Sequence, residues 1–74
     1  MAKGDILYIL DKQGLKKDGV SKSLVNKYSY VIVRELDRTN LSFNFLDHNN
    51  NKIHGTWWGR RKNFSEADFD NGDL

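Results

Sequence analysis

The 74-residue chain contains no cysteine and no proline. Without cysteine there is neither a disulfide framework nor a thiolate zinc site, two supports that small domains often use. The same absence fits a reducing compartment, and the expected location is the cytoplasm. Histidine is scarce as well: His48 and His54 are the only two, which leaves few nucleophile–base pairings for catalysis. Asp47, His48 and His54 match no zinc spacing. Gly14 and Gly19 lack the following helix and Lys-Ser/Thr pair of a phosphate loop. No apolar run approaches the length of a membrane span. The opening Met1-Ala2-Lys3-Gly4-Asp5 does not read as a signal peptide. These gaps point away from an enzyme, a metal site, a bound cofactor, a small-molecule substrate and a membrane protein. They point towards a binding module.

A chain of this length hides only about 60% of the surface its unfolded form exposes. Its aromatic side chains must supply much of the core: four phenylalanines, three tyrosines, Trp57 and Trp58. Charge is unevenly spread. Residues 1–64 hold all twelve lysines and arginines against six acids, a net +6. Residues 65–74 hold Glu66, Asp68, Asp70 and Asp73 and no base. A basic body attracts nucleic acid or an acidic protein. The expected organisation is one domain over 1–64 and a mobile acidic tail over 65–74.

Short β segments alternate with polar turns. Ile6-Leu7-Tyr8-Ile9-Leu10 is an apolar run of strand length. A long polar loop is expected from Asp11 to Asn26, with turn signals at Gly14 and Asp18-Gly19 and room for one helical turn over 21–26. Tyr28 to Leu36 is the clearest strand, and either of its two faces has the apolar character of an inner one. Asp37-Arg38-Thr39-Asn40 reads as a hairpin loop. Leu41, Phe43 and Phe45 then alternate with Ser42 and Asn44. His48-Asn49-Asn50-Asn51 reads as a second turn, since asparagine tolerates left-handed backbone. Ile53 to Arg61 is the last strand candidate, with Gly55 and Gly59 marking a bulge or a close approach.

Closing such a meander onto the first strand hides its edges. Lys3-Gly4-Asp5 before an apolar strand, a long loop, Tyr30-Val31-Ile32-Val33 and two hairpins resemble the SH3-like barrels, including KOW-type modules, over residues 3–62. The resemblance implies an all-β, partly open barrel of four to five antiparallel strands, with the long loop after strand 1. The Lys- and Asn-rich composition is also similar to that of small phage-encoded proteins. That likeness implies a modulator or inhibitor of a host protein.

The segment His54-Gly55-Thr56-Trp57-Trp58-Gly59-Arg60-Arg61-Lys62 carries the candidate chemistry. On a regular strand, Ile53, Gly55, Trp57 and Gly59 share one face, and His54, Thr56, Trp58 and Arg60 share the other. The second set presents an indole, a guanidinium and an imidazole together. Tryptophan and arginine dominate binding hot spots, and an exposed indole among cations is a stacking platform for single-stranded nucleic acid. A bulge at either glycine exchanges the faces, so either Trp57 or Trp58 is the exposed one. The candidate binding residues are Trp58, Arg60, Arg61, Lys62 and His54, joined by Lys16 and Lys17 if the basic loop folds beside the last strand. The partner is DNA or RNA, or an acidic host protein met by the same surface.

Overall fold

Period-two alternation of apolar and polar residues gives strands that must hide one face, and here the chain builds one sheet around that face. The computed structural model describes residues 1–66. In chain order its elements are β1 (Ile6–Ile9), α1 (Lys12–Lys17), α2 (Lys22–Lys27), β2 (Tyr30–Leu36), β3 (Asn40–Leu46), β4 (Trp57–Arg60), a 3₁₀ turn (Arg61–Asn63) and β5 (Phe64–Glu66). All pairings are antiparallel, in the order β4-β3-β2-β1-β5. The mostly β character and the four to five antiparallel strands are therefore as expected.

The sheet curls. The rings of Phe43 on β3 and Phe64 on β5 lie 5.1 Å apart, although β2 and β1 stand between those strands. A flat sheet would separate them by about 14 Å, three strand spacings. β4 and β5 remain its two edges, so the curl is open. Inside it, Leu7, Ile9, Val31, Val33, Leu41, Phe43, Phe45 and Phe64 form one core with Leu15, Val20 and Val25. Phe43 and Phe45 meet edge to face at 5.4 Å and are fully buried. Burying each such ring stabilises the fold by about 1.5–3 kcal/mol, a large share of a total of ~5–15 kcal/mol.

Two irregularities set which side chains face inward. β2 carries one extra residue between Val33 and Glu35, so Arg34 and Glu35 together stand opposite Ser42. Val31 and Val33 face the core before this bulge, and Leu36 packs against it afterwards. The two-faced apolar character of the segment is thus resolved by a change of register within the strand. The β3–β4 hairpin carries a wider interruption. Leu46 bridges Lys52, the Ile53 amide donates to the Phe45 carbonyl, and regular pairing resumes at Phe43–Trp57. His54, Gly55 and Thr56 bulge out opposite Asn44, with Gly55 at φ 112°.

Several expectations need correction. The Asp11–Asn26 segment is less of a loop than expected: α2 (Lys22–Lys27) takes the place of the helical turn expected over 21–26, and α1 (Lys12–Lys17) is a further helix. The Asp11 carboxylate caps α1 by accepting from the Gly14 amide at 2.9 Å, and Lys16 and Lys17 complement its C-terminal end. Gly14 lies inside this helix because a Cβ there would meet the side chains of Asn63 and Asp11. The strand expected over Ile53–Arg61 is β4, which spans only Trp57–Arg60, since the bulge removes 54–56 from the ladder. β5 runs two residues past 64. Ser65 and Glu66 pair with Tyr8 and Leu7 in β5, and the rest of the expected mobile acidic tail, 67–74, lies outside the described residues.

Candidate functional site

The interruption opposite Asn44 contains two extra residues, an even number, so inward and outward positions keep their order along β4. Trp57 consequently turns inward and meets Phe45 edge to face at 5.4 Å. Trp58 turns outward, opposite Ser42, and is 55% exposed. Arg60 is outward as well, two residues on and about 7 Å further along the strand. Asn44 holds the bulge in place: its amide nitrogen donates to the Gly55 carbonyl and, at 3.4 Å, to the Thr56 hydroxyl.

Beyond Arg60 the chain turns tightly through Arg61–Asn63, beside the loop that joins β2 to β3. That loop is shaped by Asp37, whose carboxylate accepts the amides of Thr39 (3.0 Å) and Asn40 (2.8 Å). Those two bonds, the one from Asn40 foremost, hold the Asp37 carboxyl below its ordinary pKa of 3.8. Arg61 ties turn and loop together. Its amide donates to the Thr39 carbonyl at 2.8 Å, and its guanidinium donates to the Asp37 carbonyl at 2.6 Å. Between turn and loop lies an open cleft of about 610 Å³ lined by Arg38, Thr39, Asn40, Arg60, Arg61 and Lys62. Four of these six are cations and none is an acid.

Arg60 also borders a second hollow of about 240 Å³, shared with Lys17, Lys62, Asn63 and the start of α1. Asp18 brings it there. Its carboxylate accepts the Arg60 amide and the Asn63 side-chain amide, each at 3.1 Å, and pairs with the Arg60 guanidinium at 3.6 Å. Here Asp11 and Asp18 offset the cations, so the charge is more balanced than in the larger cleft.

The structure therefore gathers Trp58, Arg60, Arg61 and Lys62 at one end of the sheet and brings Lys17 beside them. Lys16, one position away on α1, lines neither cleft. His54 sits in the bulge rather than on the regular strand with Trp58 and Arg60, and it too lines neither cleft. Arg38 joins the cluster although nothing in the sequence singled it out. The usable signal was the hairpin itself, because pairing Asn40 with Arg60 carries the preceding loop to the end of β4.

Among the described residues, no three His, Asp or Glu side chains converge to hold a metal ion. Among the same residues, no helix is long and apolar enough to cross a membrane. Compared with known proteins, the chain matches no family model, no curated protein and no solved structure.

Proposed function

We propose that this chain is a small SH3-like barrel that acts in the cytoplasm as a non-catalytic binding module. Its ligand is nucleic acid, held through the cleft between the β2–β3 loop and the 3₁₀ turn. The strand order supports the barrel reading, since β1 lies between the meander and β5 as closing the first strand onto the last requires. One observation carries the function: four cations, Arg38, Arg60, Arg61 and Lys62, line one open cleft without an acid, and the exposed Trp58 stands on the same strand. Guanidinium and ammonium groups take phosphate oxygens, and the indole offers a flat face to a base. Lys17 extends the positive field from the side.

The test is binding to a labelled oligonucleotide across a range of salt. Four phosphate contacts give a slope of log Kd on log salt of about 3 for a single strand. Arg38→Gln and Lys62→Gln, both exposed and outside the core, should each flatten that slope by about 0.7. A chain that binds no oligonucleotide at low salt, or whose slope ignores both substitutions, overturns the reading. Capture of one nuclease-resistant protein partner in its place would favour the modulator of a host protein.

A further inference from the structure

The outer face of the curled sheet, away from the core, carries several large exposed rings. Tyr8 on β1 and Tyr30 on β2 are direct partners, with rings edge to face at 5.3 Å. They are 42% and 44% exposed. Ile6 and Ile32, paired one step along, are half-buried on the same face. Trp58 belongs to this face too, because it pairs with Ser42, which alternates with the inward Phe43 and Leu41 and, like Asn44, is buried beneath its neighbours on that face. From strand spacing and rise, Trp58 and Tyr30 stand roughly 16 Å apart across the sheet.

Arg34 lies between them. The β2 bulge turns it outward, and its guanidinium donates to the Asn44 side-chain oxygen at 3.1 Å. That partner is neutral, and no carboxylate among the described residues pairs with Arg34, so its full charge is offered to the face. Beyond the tyrosines, Tyr30 and Leu46 line a hollow of about 310 Å³ that also holds Lys27 and His48. Asp47 shares that hollow, with one carboxylate oxygen accepting the amides of Asn49 and Asn51. Across the sheet, then, run an exposed indole with Arg60 beside it, a guanidinium, two exposed phenol rings and a lysine.

Flat rings alternating with cations match a ligand that alternates flat bases with phosphates. Duplex DNA keeps its base faces stacked inside, whereas a single strand presents them. Sheet faces with aromatics at this density stack two or three bases. The geometry points to a single strand of RNA or DNA laid across the outer sheet face, with bases on Trp58 and on the Tyr8–Tyr30 pair and phosphates beside Arg34 and Lys27. This rests on the nucleic-acid reading above and adds the class of ligand and its path.

The experiment compares the unaltered chain with Tyr8→Ala/Tyr30→Ala and Tyr8→Phe/Tyr30→Phe, using oligonucleotides of about 12 nucleotides, single-stranded and duplex. Alanine should weaken single-strand binding by about tenfold or more, in line with one to two lost stacks, and leave the salt slope unchanged. Phenylalanine should bind like the parent, and duplex affinity should not follow the tyrosines. If thermal melting shows the alanine pair unfolded, Tyr8→Leu/Tyr30→Leu keeps the apolar packing without a flat ring and carries the same expectation. Folded alanine or leucine variants that bind single strands as the parent does overturn this inference. So does a loss of binding in the phenylalanine pair, which would assign the contact to the hydroxyls. In both cases the cleft reading stands or falls separately, on whether Arg38→Gln and Lys62→Gln flatten the slope. An unaltered chain that binds neither form overturns both.

Discussion

Gly59 marks the tightest approach between sheet and helix. A Cβ built there would lie 2.6 Å from Leu15 Cδ2 and 3.4 Å from the Phe43 ring, and both neighbours are fully buried. Both sit within the core, so Gly59→Ala should destabilise the fold by about 1–3 kcal/mol, read as a lower urea midpoint. Leu15→Ala on the same background should recover part of the loss relative to additivity, because it empties the space the new methyl needs. Strict additivity would show that the strain lies elsewhere. The glycine does more than spare a clash: its small profile lets β4 lie against α1 and so sets where Trp58 and Arg60 emerge. The alternation in the sequence offered that outward pair but left Trp57 and Trp58 interchangeable; the bulge adds two residues, which leaves strand parity intact and turns Trp58 out. A one-residue bulge at Gly55 would have sent Trp57 out and Trp58 in.

Both hairpins of the meander rest on an aspartate at the head of the turn. The Asp37 carboxylate collects the amides of Thr39 and Asn40, and Asp47 collects those of Asn49 and Asn51. Asn50, at φ 64°, supplies the left-handed residue the second turn needs. Each carboxyl is held below 3.8 chiefly by a backbone amide, that of Asn40 for Asp37 and that of Asn51 for Asp47. A carboxyl whose folded pKa is depressed contributes stability that is complete above its unfolded value and lost as pH falls through the folded one. The urea midpoint should therefore decline on acidification below about pH 4, and more gently in Asp37→Ala and Asp47→Ala than in the parent. Equal acid slopes in all three chains would refute the assignment. Strands and turns such as these were readable because their signals are local: alternation for β3, and Asp and Asn at fixed offsets for the loops. Of the two helices, α2 forms where a helical turn over 21–26 was readable, and α1 was not readable at all. Each has six residues and one fully buried side chain, Leu15 or Val25, which is too little for a period of 3.6 to show. Gly14 reads as a turn residue, yet its place is decided by Asn63, far along the chain. Arg38 escaped notice for a similar reason: its company is fixed by the pairing of Asn40 with Arg60, a long-range register.

At the scale of the molecule, Asp18 closes the structure. It reaches across 42 and 45 positions of sequence to the Arg60 amide and the Asn63 side chain, fastening the helical segment to the end of the sheet. Hydrogen bonds to an ionised group of this kind contribute about 1.5–3 kcal/mol. Asp18→Ala should therefore lower stability by about that amount and free α1 preferentially. Hydrogen exchange in α1 and at the Arg60 amide should rise before that of the β2–β3 ladder, which a uniform rise across all amides would contradict.

The same contact occupies part of the open rim of β4. On β4 the amides of Gly59 and Arg61 turn towards β3, as the bond from the Arg61 amide to the Thr39 carbonyl shows, so those of Trp58 and Arg60 turn out along the rim. A strand arriving from another molecule would place a carbonyl against each. The Asp18 oxygen already occupies the position opposite Arg60. Only Trp58 is left to receive a newcomer on a strand of four residues, too short a template for ribbon growth. Removing that carboxylate should thus open the β4 rim to strand addition as well as loosen the fold, read as faster self-association of Asp18→Ala than of the parent.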